Sequence, residues 1–291
     1  MSFAKAAEEL FVTPAALSYQ IKNLETELGL PLFRRLNRQV ELTEAGRLLA
    51  PGMSQAFETM KSTVRAVARL ADDGGLTLTA GPAFTAKWLA PRLFRFVEQH
   101  PEIDMRLIPS LKKMDFDRDE VDCAIRFTRA DEEPGCYVET LVHEVMTPVC
   151  TPRIAAELKT PQDLIGRPLI HDDSMKLMSN PPNWGHWLKA AGVDMDWNRG
   201  MRVPNADHSL DAASEGGGVA LGRLALAASD LRTGRLAAPF KLAIDTGAHF
   251  NFVCPEGMET RPAFAALLDW LRAELIDESA AVDDFEVVSV D

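Results

Sequence analysis

The sequence predicts a small, mainly helical N-terminal domain, one long helix after it, and then a larger α/β domain. Three observations lead to this organisation. Apolar residues have helical spacing over 3–28, they recur every three or four positions over 43–70, and short apolar runs alternate with amphipathic segments from Leu76 onward. The 291 residues, 46% of them hydrophobic and 25% charged, are enough for two or three domains with cores of their own.

The charges are distributed unevenly along the chain. Residues 1–70 contain 9 Lys and Arg against 7 Asp and Glu, whereas the remaining residues contain 22 against 36. A basic segment followed by an acidic one indicates separate roles, with the basic segment able to approach phosphates. The total of −12 argues against a uniformly basic coat for nucleic acid.

The cysteines and the apolar runs exclude several classes of protein. The four cysteines are far apart and show no CxxC spacing, which disfavours a zinc site or a disulfide scaffold: Cys123, Cys136, Cys150 and Cys254. We therefore expect no metal and no cofactor. No apolar run is long enough to cross a membrane, and the start of the chain lacks a signal-peptide pattern, so we expect a cytoplasmic protein.

Two short helices are expected within residues 3–28. Thr13 can accept the first N–H groups of the second helix, Pro14 suits its first position, and Gly29 ends it. One face of this helix is an apolar stripe formed by Leu17, Ile21, Leu24 and Leu28. Two helices joined by a short turn, with a small polar face on the second, are what a helix-turn-helix DNA reader requires.

The face opposite the apolar stripe is the candidate DNA-reading surface. It is formed by Pro14, Ala15, Ser18, Tyr19 and Lys22. Short side chains let such a helix enter the major groove, Ser18 and Tyr19 can reach base edges or phosphates, and Lys22 can reach a phosphate. A plain solvated helix face is the alternative interpretation.

Residues 32–42 can form a small β-hairpin beside this helix. Arg34, Arg35 and Arg38 would cluster near its tip, where three guanidinium groups can hold the phosphate backbone. The alternative is a solvent-facing charge cluster without a ligand.

A long helix is expected from Thr43 to about Leu70. A seam of apolar residues at heptad-like spacing predicts pairing with a second helix: Leu49, Met53, Ala56, Met60 and Val67. Asp72–Gly75 should end this helix and form a hinge.

Alternating strands and helices are expected from Leu76 to Leu275. We expect strands at 76–80, 105–109, 122–127, 138–143, 145–150, 169–171, 201–203, 219–221 and 250–253. Helices are expected at 85–100, 183–191, from about 207, near 224–229 and at 262–275. This alternation predicts mainly parallel strands with helices on both faces of the sheet. Residues 277–291 are acidic and show no clear pattern, which indicates a tail.

The N-terminal part resembles the DNA-binding region of LysR-type regulators, particularly the glycine-cleavage-activator subgroup, through SFAKAAEELFVTPAALSYQIKNLETELGLPLFRR and VELTEAGRLL. The rest resembles the effector domain of that subgroup through GPAFTAKWLAPRLFRFVEQHPEIDMRL, VDCAIRF, PVCTP, ASEGGGVALG and GRLAAPF. The resemblance covers nearly the whole chain.

The resemblance implies a domain plan. It implies a winged helix-turn-helix over 1–42, a linker helix over 43–73 that dimerises, and an effector-binding domain over 76–276. The last is implied to be periplasmic-binding-protein-like, with two Rossmann-like subdomains joined by two crossover strands. Subdomain I would contain 76–148 and 254–276, and subdomain II would contain 149–253. A small effector would bind between them, and two dimers would form a tetramer on promoter DNA.

The chain departs from the family pattern in two places. The family has a further helix before SFAKAAEEL, and this sequence lacks it. Leu10, Leu17 and Leu24 should therefore lose part of their packing cover, which could weaken DNA binding. The acidic segment 277–291 is the second departure, and we assign no role to it.

The first half of the candidate effector site is expected where strands end in subdomain I. Ala83, Phe84 and Thr85 come where a strand meets a helix, a position that favours an anionic ligand group. Thr85 could instead serve only as a helix cap. Arg126 and Phe127 end another strand, where Arg126 could pair with a ligand carboxylate or with Asp122.

The second half is expected to face it from subdomain II. His171 ends a strand and Asp207 opens a helix, although His171 could equally be a satisfied interior histidine. Phe250 stands where the subgroup often has a tyrosine, so a hydrogen bond could be missing there. Trp184 and Trp187 are helix-spaced and are expected in the core.

Two further patterns are interpreted as structural and not as functional sites. The glycine-rich segment 216–222 precedes a strand instead of following one, so it predicts a helix-to-strand turn and not a dinucleotide site. Cys150 and Cys254 lie in the segments that resemble the two crossover strands, where we expect them to be neighbours and buried as inert packing.

These observations favour a sequence-specific transcriptional regulator, and not an enzyme. Its expected partners are double-stranded promoter DNA, an amino-acid-like or other small carboxylate effector, further copies of itself, and RNA polymerase. A transport-associated ligand-binding protein is the alternative for the C-terminal two-thirds. An enzyme is disfavoured because no metal-spaced His/Cys set, GxSxG motif or paired catalytic carboxylates are found.

Overall fold

The computed structural model describes residues 2–36, 39–71, 75–116 and 119–289. The chain forms two compact units, Met1–Ala71 and Asp72–Asp291. Two predictions, Arg38 in the hairpin tip and the hinge at 72–74, lie outside the described residues. No helix among the described residues is long and apolar enough to cross a membrane.

The N-terminal unit begins with the two predicted helices, α1 (Phe3–Glu9) and α2 (Pro14–Leu28). The Thr13 hydroxyl oxygen accepts the Ala16 N–H at 3.2 Å, so Thr13 caps α2 as its sequence position predicts. Gly29 ends α2 with φ of 67°, a backbone conformation that glycine adopts without steric strain.

A two-stranded hairpin follows, formed by β1 (Phe33–Leu36) and β2 (Gln39–Leu42) in antiparallel register. The Glu25 carboxylate of α2 accepts the N–H groups of Leu32 at 2.7 Å and Phe33 at 3.1 Å. These two hydrogen bonds fasten the hairpin to α2, because the amides that enter β1 find their acceptor on the helix.

The long helix α3 (Glu44–Ala71) completes the unit and is capped by Thr43, whose hydroxyl oxygen accepts the Gly46 N–H at 3.1 Å. Gly46 is required here because a Cβ at this position would lie 2.2 Å from the Leu32 carbonyl oxygen. The same carbonyl accepts the Thr43 N–H at 2.9 Å, so the start of α3 is held closely against the chain that enters the hairpin.

The C-terminal unit contains one mixed sheet with helices packed against it. Its strands are β3 (Gly75–Ala80), β4 (Asp104–Pro109), β5 (Cys123–Thr128), β6 (Cys136–Val149), β7 (Leu169–Asp172), β8 (Met201–Val203), β9 (Val219–Arg223), β10 (Leu242–Pro255) and β11 (Glu286–Ser289). Its helices are α4 (Pro82–Phe84), a π-helical segment (Thr85–Leu89), α5 (Ala90–Gln99), α6 (Pro152–Ala155), α7 (Trp184–Ala190), α8 (Ala206–Ser214), α9 (Leu224–Arg232) and α10 (Pro262–Ala280). Short 3₁₀ segments occur at Pro161–Leu164, Asp173–Leu177, Met258–Thr260 and Ala281–Asp284.

The strand order is β4-β3-β5-β10-β6-β9-β7-β8, with β11 alongside β10. β3 is parallel to both β4 and β5, and β7 is parallel to both β8 and β9. β10 and β6 run antiparallel to each other between these two parallel groups. The expected two subdomains with two crossover strands match this topology, while the expectation of a mainly parallel sheet misses its antiparallel centre.

Both central strands are longer than the sequence patterns predicted. The strands expected at 138–143 and 145–150 form the single strand β6, and the strand expected at 250–253 is the middle of β10. The predicted boundary falls at the polar pair His143–Glu144, which lies inside β6 and pairs with β10. Glu144 is fully buried there, and its Oε1 accepts the Ala225 N–H at 3.0 Å.

Two further expectations are corrected at chain segments that were read as irregular. The helix expected from Thr85 begins at Pro82 instead, since proline suits the first helical position. The tail expected at 277–291 continues α10 to Ala280 and then forms β11, which pairs in parallel with β10. Its apolar residues pack against a small buried cluster, with Val282 and Phe285 against Val145, Leu224 and Ala243.

The core has two main clusters, and the first contains residues of both parallel groups of strands, such as Leu78 of β3 and Ala220 of β9. Trp88, Phe96 and Phe252 are fully buried in the first, and Trp184 and Trp187 are fully buried in the second. The indole N–H groups of Trp184 and Trp187 donate to the carbonyl oxygens of Ile170 at 3.0 Å and Leu242 at 3.1 Å. The prediction that these two tryptophans belong to the core is confirmed.

Two of the buried cysteines lie near the crossover strands but far from each other. Cys254 lies opposite Tyr137 near the start of β6, whereas Cys150 follows the end of β6 and pairs with Ala237. The expectation that Cys150 and Cys254 are neighbours was therefore wrong, because they lie at opposite ends of the crossover strands. Burial raises the pKa of Cys150 to about 11 and that of Cys254 to about 12. Of the glycine-rich segment 216–222, residues 216–218 lie in the predicted turn between α8 and β9, and residues 219–222 belong to β9.

Candidate functional site

One cavity of the C-terminal unit, here named the main cavity, lies where β3, β4 and β5 end, and it has a volume of about 340 Å³. Gly81 follows β3, Ser110 follows β4, and Phe127 and Thr128 end β5, and all four residues line the cavity. The first residues of α8 and the end of β9 line it from the other parallel group of strands. Open α/β sheets bind their ligands at this edge, so the main cavity is the candidate ligand site.

Three phenylalanine rings form an apolar wall of the main cavity. Phe250 packs against Phe84 with ring centroids 4.6 Å apart and against Phe127 with centroids 5.0 Å apart. Because Phe250 carries no hydroxyl, this wall offers contact area and no hydrogen bond at the middle ring. Ala83, which was also predicted, lines the cavity beside Phe84.

Arg126 lines the main cavity, but protein groups already surround its guanidinium. It forms an ion pair with Glu133, donates to the Met114 carbonyl oxygen at 2.8 Å, and lies 4.9 Å from the centre of the Phe116 ring. Partial burial alone would raise the pKa of Glu133, but hydrogen bonds from Arg126 and Lys113 hold it below its ordinary value. Asp122, the partner considered from the sequence, accepts the Thr77 N–H at 2.7 Å. Arg126 has therefore found a structural partner that the sequence did not suggest.

Arg223 is a second arginine at the main cavity, which Lys112 and Lys113 also line, and the sequence patterns did not single it out. It ends β9, it is 7% exposed, and its guanidinium lies 4.9 Å from the centre of the Phe127 ring. The apolar run was read as ending at Leu221, which left Arg223 outside the strand. Arg126 was selected because it is a charged residue at the end of a buried strand. The same rule would have selected Arg223 if the predicted strand had extended two residues further, to the observed end of β9.

Thr85 is buried and does not line the main cavity. Its N–H donates to the Gly81 carbonyl oxygen at 2.9 Å, and its hydroxyl oxygen has no hydrogen-bond partner among the described residues. Its backbone is helical, so the alternative of Thr85 as a helix cap is wrong. A direct contact between Thr85 and a ligand stays a prediction.

The residues predicted from the other side are not brought into the main cavity. His171 lines a second cavity of about 310 Å³ together with Trp197 and Arg202. Burial holds the pKa of His171 below its ordinary value, which favours the neutral ring. Asp207 lies in the first turn of α8 next to Ala206, which does line the main cavity.

The predicted DNA-reading residues share one surface of α2. Ala15, Tyr19 and Lys22 are exposed, Tyr19 to 64%, and Ser18 is half-buried. Ser18, Tyr19 and Lys22 line one shallow groove with Glu25. Pro14 at the helix start is also exposed. The groove shows that a ligand can approach these side chains, and their contact with DNA stays a prediction.

The hairpin and the long helix present the other predicted interaction residues. Arg34 is exposed on β1 opposite Glu41, and Arg35 follows it in the same strand. Met53, Ala56 and Met60 are exposed on α3, and Leu49 is half-buried, while the side chain of Val67 is not described.

The apolar stripe of α2 is open within the N-terminal unit. No residue of α2 is buried, and Leu24 is exposed together with Leu10 of the preceding turn. Leu17 is half-buried.

Two family models match the chain and together cover most of it. The model described as the bacterial regulatory helix-turn-helix protein, lysR family, matches residues 1–47. The model described as the LysR substrate binding domain matches residues 71–276.

Similar proteins of known name are transcriptional regulators. The glycine cleavage system transcriptional activator of Escherichia coli K12 is 36% identical over 282 residues, which are 96% of this chain and 90% of that protein. The transcriptional activator AmpR of Pseudomonas aeruginosa is 33% identical over 290 residues, which are 97% of this chain and 92% of that protein.

Solved structures of similar fold include the AmpR effector domain of Pseudomonas aeruginosa. It has 29% sequence identity and a TM-score of 0.58, and the match covers 71% of this chain and 98% of that one. Full-length LysG of Corynebacterium glutamicum with bound effector Arg has 22% identity and a TM-score of 0.52, with 95% of this chain and 93% of that one covered. This second likeness extends the shared fold to nearly the full length.

Proposed function

The chain belongs to the LysR family of bacterial transcriptional regulators, and we propose that a small carboxylate effector in the main cavity controls its binding to promoter DNA through α2. The main cavity carries this proposal. It lies at the strand ends of a fold that binds ligands there, it is large enough for a small molecule, and it combines an apolar wall with two arginines.

The DNA-binding half of the proposal rests on the exposed face of α2. Tyr19 and Lys22 are exposed on this face, and they line one groove together with Ser18. A helix-turn-helix places the first residues of its second helix against base edges, while cations contact phosphates. Arg34 on the neighbouring hairpin supplies a further cation for the backbone.

Further partners follow from the same assignment. Exposed Met53 and Met60 on α3 support self-association through that helix, first as a dimer and then as a tetramer. RNA polymerase is the remaining proposed partner, and the cytoplasm is the proposed location. The named relatives are regulators, which supports the proposal that this chain performs no catalysis.

The test is fluorescence anisotropy of the full chain with labelled DNA from its own upstream region, compared with a random duplex over a salt series. Selective binding that weakens steeply with salt is expected for a regulator that contacts phosphates and bases. Addition of small carboxylates at saturating concentration should change the selective affinity. Equal affinity for both duplexes at every salt concentration would contradict the DNA-binding half.

A further inference from the structure

Arg223 occupies an unusual environment at the main cavity. The side chain is nine-tenths buried at the end of β9, and its guanidinium rests on the face of Phe127. A guanidinium stays charged in proteins, and a buried charge is costly unless it is paired and hydrogen-bonded.

The hydrogen bonds of Arg223 are weak and incomplete. Among the described residues, its one hydrogen bond runs from Nη2 to the Ser174 hydroxyl oxygen and is 3.5 Å long. Asp172 Oδ2 lies 3.4 Å from the same nitrogen and has no hydrogen-bond partner itself. Nε of Arg223 is also buried without a partner among the described residues. The guanidinium therefore has five N–H donors but only two long contacts with acceptors among the described residues, those with Ser174 and Asp172.

One oxygen of Asp172 is held by groups other than Arg223. Its Oδ1 accepts the Ser174 N–H at 2.9 Å and the Ser174 hydroxyl at 2.6 Å. Asp172 therefore caps the 3₁₀ segment Asp173–Leu177 without help from the guanidinium. A stronger anion could take Arg223 away from Asp172 and leave this cap in place.

Arg126 does not offer the same capacity. Arg126 already has a carboxylate partner in close contact, Glu133, it donates to the Met114 carbonyl oxygen, and Phe116 covers one face of its guanidinium. Of the two arginines that line the main cavity, Arg223 is the one whose contact with a carboxylate is long.

The residues around Arg223 indicate the polarity and the size of the rest of the ligand. Phe127 and Phe250 form an apolar surface beside the guanidinium, and Met175 and Met178 line the same cavity. Such a surface favours a hydrophobic or aromatic body of about the size of a phenyl ring. A small acid without this body would bury too little apolar area to bind well.

We propose that the effector is an acid with a hydrophobic body whose carboxylate binds Arg223 in place of Asp172. This inference rests on the proposed function, because it names the ligand class for the same cavity. The bound carboxylate forms charge-assisted hydrogen bonds with the guanidinium, and the hydrophobic body packs on the phenylalanine wall. The exchange removes the ion pair between Arg223 of β9 and Asp172, the residue that caps the 3₁₀ segment Asp173–Leu177, which links ligand binding to a change in subdomain II.

The test uses three probes on the full chain: 3-phenylpropionate, its neutral analogue 3-phenylpropionamide, and propionate. Isothermal titration should show 3-phenylpropionate binding at least about tenfold more tightly than either other probe, because each lacks one of the two recognised groups. Equal binding of the acid and the amide would overturn the proposal. So would the absence of 3-phenylpropionate binding at about 10 mM, a concentration that reveals even millimolar affinity.

Variants then locate the carboxylate. Arg223→Gln should weaken 3-phenylpropionate binding about tenfold or more and leave the affinity for the amide unchanged, while Arg223→Lys restores part of the loss. Arg153→Gln, at an exposed arginine away from the cavity, is the matched control. An Arg126→Gln variant that loses as much affinity as Arg223→Gln would also overturn the assignment. The acid-against-amide comparison in the unchanged protein needs no variant, so it stands even where a substitution impairs folding.

DNA anisotropy on the same samples separates this inference from the proposed function. If selective DNA binding responds to a neutral small molecule but not to 3-phenylpropionate, the proposed regulatory function stands and the proposed acidic effector is wrong. If 3-phenylpropionate binds in an Arg223-dependent way but DNA binding is not selective, the proposed ligand class stands and the proposed regulatory function is contradicted.

Discussion

The two units of the chain differ in how completely each buries its own apolar side chains. In the C-terminal unit, large side chains such as Trp88 and Phe252 are fully buried in continuous clusters. In the N-terminal unit, α2 buries no residue, and Phe11 and Leu48 are 97% and 85% exposed. The C-terminal unit therefore stabilises itself, whereas the apolar surface of the N-terminal unit suits contacts with other molecules.

The sharpest test of this difference is a pair of truncations, one in each unit. We expect Phe252→Ala to lower the free energy of unfolding of the C-terminal unit by about 3–5 kcal/mol, because it opens a cavity in a packed core. Leu48→Ala should change the free energy of unfolding of the N-terminal unit, followed by far-UV circular dichroism, by less than about 0.5 kcal/mol, because this side chain is already exposed. All five tryptophans lie in the C-terminal unit, so their fluorescence in urea follows that unit alone. A loss below about 1 kcal/mol for Phe252→Ala would contradict the packed core that the structure shows.

A second prediction concerns the buried carboxylate in the centre of the same unit. Burial raises the pKa of Glu144 from 4.5 to about 7, although the N–H of Ala225 and the charge of Arg223 oppose this effect. The folded state thus binds a proton more tightly than the unfolded state. The stability that this proton contributes is present below pH 4.5 and is lost as the pH rises to 7.

The measurement compares the wild type with Glu144→Gln in urea at pH 5 and pH 7.5. Between these values the wild type should lose about 1–3 kcal/mol relative to the variant, because glutamine cannot ionise. Parallel pH dependence of the two proteins would show that Glu144 keeps an ordinary pKa.

Glu144 also explains where the sequence was insufficient for predicting the fold. Local patterns were enough for the caps of α2 and α3 and for the short strands, because Thr13, Thr43 and the apolar runs act through neighbours in sequence. Glu144 inside β6 has its hydrogen-bond partner at Ala225, 81 residues away, and the strand itself pairs with the distant β10. A polar residue inside a strand looks like a break until its distant partner is known.

The same limit applies to the candidate site. Ala83, Phe84 and Phe250 could be predicted because position at a strand end and likeness to a family locate them. The difference between Arg126 and Arg223 could not, since it depends on Glu133 occupying one guanidinium and on Asp172 holding the other only weakly. His171 was misplaced for a related reason: the end of β7 faces the second cavity.

The exposed seam of α3 allows a prediction of intermediate size. If Met53 and Met60 lie between two copies of α3, their combined change to aspartate should weaken self-association at least about tenfold, because buried unpaired charges oppose pairing. Sedimentation velocity over a concentration series measures this shift. The same double substitution should leave the tryptophan-detected unfolding curve unchanged. An unaltered dimer would place the self-association surface elsewhere on the chain.

The smallest expected effects separate two residues on the exposed face of α2. Lys22→Ala should reduce affinity for specific and random DNA by a similar factor and lower the salt slope by about one, because it removes one phosphate contact. Ser18→Ala should leave the salt slope unchanged and alter the preference among sequences by about 1 kcal/mol, because a hydroxyl at a base edge carries sequence information. Anisotropy on matched duplexes measures both effects. If the two variants lose the same affinity on every duplex, the groove beside Ser18 contacts the phosphate backbone and the bases are read by other residues.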